Sequence, residues 1–156
     1  MADNKGKKWE EQFRKDFLRS IPNSTIDRLY DTTNGYYGIK NICDFIGYSY
    51  PNIYYLECKE HKGASFPFAN LTQYEDLVKK VGIKGVRVGV VLWLSEKDLV
   101  MYVPISTITK IMESGVKSVG IKQIKDGYNI KIIPSVKKRI YLECDYSCSM
   151  TLEEGE

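Results

Sequence analysis

Asp44, Glu57 and Lys59, with Glu10 far upstream, are the residues of this chain whose types and spacing can do chemistry. The segment Ile53-Tyr-Tyr-Leu-Glu-Cys-Lys59 is rich in β-branched and aromatic residues, which favours a strand. Side chains alternate across a strand, so Glu57 and Lys59 share one face while Leu56 and Cys58 share the other. A carboxylate and an ammonium side by side, with Asp44 just before them, can hold a divalent cation against a phosphodiester. That is the layout of a metal-dependent nuclease. An isolated Glu-x-Lys is more often an exposed ion pair of small energetic value, so the rest of the chain has to decide.

The elements that position these residues follow from periodicity. Trp9, Phe13, Phe17 and Ile21 recur at four-residue spacing and predict an amphipathic helix from Lys5 to Ser20, closed by Pro22. At about 100° per residue, Glu10 falls inside the apolar arc and Glu11 outside it. A carboxylate on an inward face is costly unless something pairs with it, which marks Glu10 rather than Glu11. Strands are expected at 25–31, 42–48 and 53–59, the last two joined through Pro51-Asn52. Thr72-Gln-Tyr-Glu75 reads as a capping box opening a second helix that ends before Gly82, and Gly82-x-x-Gly85 as a helix-ending turn. The apolar run 87–94 predicts a central strand, pairing with 98–103 after the Ser95-Glu-Lys97 turn. Pro104-Ile-Ser-Thr opens a helix that stops near Gly115. Residues 119–125 fit either a short helix stopped at Gly127 or a hairpin strand, and 128–133 and 139–142 read as strands. This order implies an α/β sandwich with a mixed central sheet flanked by helices.

Composition sets the bounds. At 156 residues the chain suits one domain able to bury its own core, with an ordered part at about 4–142 and a polar tail at 145–156. A hydrophobic content of 43% and a charged content of 28% are ordinary for a globular protein, and a net charge of +3 does not by itself announce a nucleic-acid binder. The distribution says more. Lys5, Lys7, Lys8, Arg14, Lys15 and Arg19 crowd the N-terminus, and His61 and Lys62 follow the acidic strand. Cations near a carboxylate site attract phosphate while the carboxylates hold metal; a solvated mixed surface gives the same pattern. Cys43, Cys58, Cys144 and Cys148 lack zinc-site spacing and read as free thiols in a reducing cytoplasm. No apolar leader opens the chain, and its longest apolar run, 88–94, is far too short to span a bilayer.

Phosphodiester hydrolysis needs an activated water, neutralisation of the developing negative charge and support for the leaving oxygen. Carboxylates that fix one or two Mg²⁺ ions meet these needs. Glu10 would come from a helix, Asp44 and Glu57 from adjacent strands, and the Cys58 backbone carbonyl is a further ligand. Lys59 is placed to orient or deprotonate the attacking water, or to stabilise the pentacovalent phosphate.

With these residues in place, the chain resembles the PD-(D/E)xK nuclease superfamily, and within it the RecU family of Holliday-junction resolvases. The resemblance rests on Asn4-Lys5-Gly6-x-x-x-Glu10, on Asp44 with Glu57-x-Lys59, and on Ala64-Ser-Phe-Pro-Phe68 leading into Thr72-Gln73. Lys117-Ser118-Val119 and Gly127-Tyr128-x-Ile130 extend it to about residue 142. It implies a restriction-endonuclease-like core and a dimeric, Mg²⁺-dependent endonuclease, with Mn²⁺ as a substitute, that cuts four-way junctions by paired nicks. It also implies metal on Glu10, Asp44 and Glu57, a catalytic Lys59 and an assisting Gln73; by its position alone, Gln73 is a helix-start residue. Branched DNA and a second copy of the chain are the implied partners, in a bacterial or bacteriophage setting. Cys43 stands where the superfamily often has proline. The segment before Asp44 is short for the stalk that such resolvases push into a junction: Arg28, Tyr30, Tyr36, Tyr37 and Lys40 form either a reduced stalk, stacking on a base through a tyrosine, or an ordinary hairpin tip. His61, the only histidine, reads with Lys62 as a phosphate contact or surface residue. The alternatives are a nuclease of this superfamily with another DNA substrate, or a catalytically silent DNA-binding protein of the same fold.

Overall fold

The structure, a computed structural model, describes residues 4–30 and 41–147, and side chains from Gly6 onward. Helix α1 (Asn4–Ser20) places Trp9, Phe13 and Phe17, with Ile21 just beyond it, on one buried stripe. Its aromatic rings pack edge-on against the sheet, Phe13 on Phe45 at 5.2 Å and Phe17 on Tyr54 at 5.8 Å, while Trp9 lies against Trp93 at 5.3 Å. Burying each such side chain contributes roughly 1.5–3 kcal/mol, so the four-residue spacing fixes which face of α1 meets the sheet.

The main sheet has six strands. β1 (Ser24–Arg28), β2 (Phe45–Ser49) and β3 (Asn52–His61) form an antiparallel meander, the last two joined by a tight turn at Tyr50-Pro51. The chain then crosses over and returns as β5 (Val86–Leu94), parallel to β3, with Glu57 beside Val90 and Lys59 beside Leu92. The long crossover is what allows the parallel pair; it carries β4 (Ser65–Pro67) and α2 (Tyr74–Val78). β6 (Leu99–Pro104) runs antiparallel to β5, and α3 (Ile105–Glu113) follows it directly. β7 (Ser118–Gly120) pairs with β4, so the sequence strings around Phe66 and Val119 lie side by side. Gly120 lies so close to the Ala64 carbonyl that a Cβ there would collide with backbone. After α4 (Ile121–Lys125), β8 (Lys131–Ile132) completes the sheet order β1-β2-β3-β5-β6-β8. A hairpin of β9 (Ser135–Lys137) and β10 (Leu142–Cys144) closes the described chain.

Two cores result. One face of the sheet, with Tyr54, Leu56, Cys58 and Val91, is covered by α1 and the β9–β10 hairpin. The other, with Val88, Val90, Leu92 and Met101, is covered by α2, α3 and the β4–β7 pair.

Several expected boundaries move. The second helix is a single short segment, Tyr74–Val78, and no side chain caps it: the Thr72 hydroxyl bonds Gln73 Oε1 at 3.0 Å instead of an amide of the helix. The capping-box reading of Thr72…Glu75 is therefore corrected. Gly82 and Gly85 do turn the chain, both with positive φ. Residues 119–125 resolve into a strand end followed by a helix, with Gly127 in the left-handed region. The strand expected at 128–133 shrinks to two residues, and the strand expected at 139–142 begins only at Leu142 and pairs with β9, an element not anticipated. Cys43, Cys58 and Cys144 are free thiols, as expected, and all three are buried; Cys148 lies outside the described residues.

Candidate active site

β2 begins at Phe45, opposite Leu56. Beyond Leu56 the β3 edge facing β2 has lost its ladder partner, and the Asp44 side chain fills that place: its Oδ2 accepts the Cys58 backbone N–H at 2.9 Å. The N–H and C=O of one strand residue point to the same side, so the Cys58 carbonyl also faces Asp44. The carboxylate of one strand and the polar edge of the next are thus held together by the early end of β2.

Glu57 lies on the α2/α3 face, its side chain only 1% exposed, with Oε2 at 3.3 Å from Lys59 Nζ. Its other oxygen, Oε1, is buried with no hydrogen-bond partner among the described residues. Burial, and then the neighbouring Asp44 charge, push its pKa up to about 8, with Lys59 pulling the other way. A buried carboxylate with an orphaned oxygen, beside a second carboxylate, lacks positive charge.

Glu10 comes from the opposite face of the sheet. Its carboxylate is gripped in a fork by Arg28, at 2.9 and 3.1 Å to Nη2 and 3.2 Å to Nε. The same guanidinium lies 3.6 Å from Asp44 Oδ1 and donates to the Asp44 carbonyl at 3.2 Å. Burial and the Asp44 charge still raise the Glu10 pKa, outweighing Arg28. Glu11 points outward and pairs with Arg14 at 2.9 Å, as the helix register requires. The polar groups therefore form a chain across the sheet end in the order Glu10, Arg28, Asp44, Glu57, Lys59.

The structure brings Asp44, Glu57, Lys59 and the Cys58 edge together, and joins Glu10 to them through Arg28. Among the described residues no three acidic, histidine or cysteine side chains converge as one metal-ligand cluster. The donors nonetheless suit a hard divalent cation: two carboxylates pressed together, one oxygen without a donor, and a carbonyl on the same edge. Asp44, Glu57 and the Cys58 carbonyl are the groups that would hold it. Arg28, expected as a DNA contact, has its guanidinium engaged by Glu10 and Asp44. Gln73 precedes α2, with Thr72 as its side-chain partner. Lys7 lines a cleft of about 340 Å³ with Glu10, Glu11, Arg14, Arg28, Tyr30 and Phe45. Lys8 and Lys62 are exposed, and the His61 ring stands edge-on to Phe66 at 6.0 Å. Tyr36, Tyr37 and Lys40, and the side chain of Lys5, lie outside what the structure describes.

Sequence reasoning missed Asp16, and it missed the grip of Arg28 on Glu10, having placed Arg28 only among the DNA contacts. Arg28 gave no pattern signal beyond its place at a strand end. Asp16 is buried at 2% on α1, where it accepts the Cys144 N–H at 2.9 Å and the Gln12 amide at 3.0 Å. The helical register would have found Asp16, since it falls within about 20° of Trp9.

A mixed sheet with one parallel pair and helices on both faces thus carries the acidic and basic pair on β3. Among solved structures, the chain is similar to Hjc, a Holliday junction resolvase from the archaeal hyperthermophile Archaeoglobus fulgidus. The similarity has a TM-score of 0.50 at 16% identity, over 65% of this chain and 78% of that one. No family model matches the chain, and no curated protein does.

Proposed function

We propose that this protein is a Mg²⁺-dependent, structure-selective endonuclease that resolves four-way DNA junctions by paired nicks, in the manner of the RecU-type resolvases its motifs resemble. The observation that carries the proposal is the buried Glu57, its orphaned oxygen beside Asp44 and its other oxygen against Lys59. A surface ion pair needs no burial and leaves no oxygen unpaired; a cation-binding carboxylate does both. The likeness to an archaeal junction resolvase supports the fold on which this chemistry rests.

In this reading Asp44, Glu57 and the Cys58 carbonyl hold the cation, which when bound supplies charge neutralisation for the developing phosphorane. Lys59 orients the attacking water and stabilises the phosphate oxygen. Glu10 joins through Arg28, and Gln73 assists from the start of α2. Lys5, Lys7, Lys8, His61 and Lys62 contact phosphates, and Tyr36, Tyr37 and Lys40 approach the junction. Two symmetric cuts need two sites, so the working form is a two-fold dimer.

The test is a cleavage gel comparing a mobile four-way junction, a matched duplex and a fork, with and without Mg²⁺, Mn²⁺ being the second metal. Cleavage confined to the junction and dependent on metal is expected. Equal cutting of linear duplex by a monomer would replace the resolvase with a general nuclease of the same fold; binding without cutting under every metal condition would leave a DNA-binding protein.

A further inference from the structure

The β9–β10 hairpin has no part in the site, yet it is the most exposed segment of the described chain. Pro134 through Tyr141 are all exposed, Ile140 at 88% and Val136 at 57%. The turn is closed by the Lys138 N–H on the Tyr141 carbonyl at 2.8 Å, leaving Lys138-Arg139-Ile140-Tyr141 at the tip. Among the described residues neither Lys138 nor Arg139 pairs with an acid. An exposed aliphatic side chain directly after two cations is a poor choice for a tip that only meets water.

The base of the hairpin is firmly held. Leu142 and Cys144 are buried against α1, Arg19 and Asp16 bond the two backbone groups of Cys144 at 2.5 and 2.9 Å, and Ser20 Oγ accepts the Tyr146 N–H at 3.1 Å. Little ordering remains to be done when the tip meets a ligand. Its direction is fixed as well. Lys137 Nζ reaches Asp98 Oδ1 at 3.1 Å, in the turn between β5 and β6. That turn lies at the sheet end where β3 carries Glu57 and Lys59, because β3 and β5 are parallel and in register up to His61 beside Leu94. From β3 to β8 there are three strand steps, or about 15 Å. The hairpin follows β8 and covers the α1 face, so its tip lies toward the same sheet end as the candidate active site, on the face opposite Glu57 and Lys59.

We propose that this tip is a second DNA contact, with Lys138 and Arg139 on backbone phosphates and Ile140 set against an exposed base step. The inference rests on the nuclease reading and deepens it. Cations beside an apolar wedge are the means by which proteins hold and open unstacked steps, and the centre of a four-way junction offers such steps. A second copy of this chain fits the tip poorly, since like charges would face each other and the apolar surface is broken by cations.

The test is anisotropy titration of labelled four-way junction and matched duplex in EDTA, over a series of salt concentrations. Lys138→Gln with Arg139→Gln should lower the slope of log affinity against log salt by about two and weaken binding roughly tenfold. Ile140→Ser should leave the slope unchanged and reduce the preference for junction over duplex. An unchanged slope and affinity in the double variant overturns the proposal, as does a change confined to oligomeric state in sedimentation. If wild-type protein cuts the junction with Mg²⁺ while the double variant binds as wild type, only the hairpin contact falls. If wild type binds neither DNA, the nuclease reading falls with it.

Discussion

Replacing Glu57 by Gln should make the protein more stable near neutral pH, and the gain should grow with pH. Burial and the Asp44 charge hold the Glu57 carboxyl at about 8, against 4.5 for the free group. The folded state therefore binds this proton more tightly than the unfolded chain. The sign follows from linkage: the contribution is fully present below the unfolded value and is lost as pH rises towards the folded one. At 1.36 kcal/mol per pH unit, the loss is under about 1 kcal/mol at pH 5 and roughly 3 kcal/mol at pH 7. The Gln variant carries no such proton. Thermal unfolding of the two proteins from pH 5 to pH 8 should show curves that diverge by roughly 5–10 °C between pH 5 and 7 for a domain of this size. Loss of the contact with Lys59 offsets the variant at every pH and leaves the slope as the signature.

Two companions sharpen the test. Asp44→Asn removes the like charge that is the second cause of the shift, so the wild-type slope should become shallower and move to lower pH. Millimolar Mg²⁺ should restore stability to wild type near pH 7 and not to Glu57→Gln, because a cation stabilises the ionised carboxylate by mass action. Parallel curves for wild type and Glu57→Gln would refute the reasoning: Glu57 would then ionise in the folded state as freely as in water, and nothing would single it out as a cation ligand.

Asp44→Asn should abolish cleavage while leaving junction binding largely intact in gel shifts, and Lys59→Ala should slow cleavage by at least ~10²-fold in single-turnover assays. Glu10→Gln should impair metal-dependent cleavage far more than Glu11→Gln, since only Glu10 joins the polar chain through Arg28; equal loss would place the helical carboxylate outside the site. Asp16→Ala should destabilise the fold by about 2–4 kcal/mol in denaturant unfolding, because the Cys144 N–H and the Gln12 amide lose their buried acceptor.

The periodic elements were legible because one face of each is driven inward. Trp9, Phe13, Phe17 and Ile21 mark α1 without ambiguity, and the uninterrupted apolar run of β5 announces a strand covered on both faces. The region after residue 115 was not legible, for a physical reason. β7, β8 and β9 span two or three residues each and owe their existence to partners: β7 to β4, β8 to the edge of β6, β9 to β10. Elements this short carry no period of their own. The Thr72…Glu75 pattern misled for the opposite reason: the local signal was present, yet the hydroxyl found Gln73 before it found an amide.

The candidate site shows the same division at finer grain. Alternation along β3 put Glu57 and Lys59 together correctly, because two residues on one strand share a face whatever their surroundings. The helical register put Glu10 inward correctly, because the apolar arc defines a direction. Neither pattern says what an inward carboxylate meets. For Glu10 the answer is Arg28, eighteen residues on and at the end of a different element, whose two-pronged grip links Glu10 to Asp44. Asp16 obeys the same rule: its register predicts burial, while its partner, the amide of Cys144, lies 128 residues away. Period fixes the face and topology fixes the partner, so a charge that period sends inward is the point at which to ask which distant cation or amide the fold must bring.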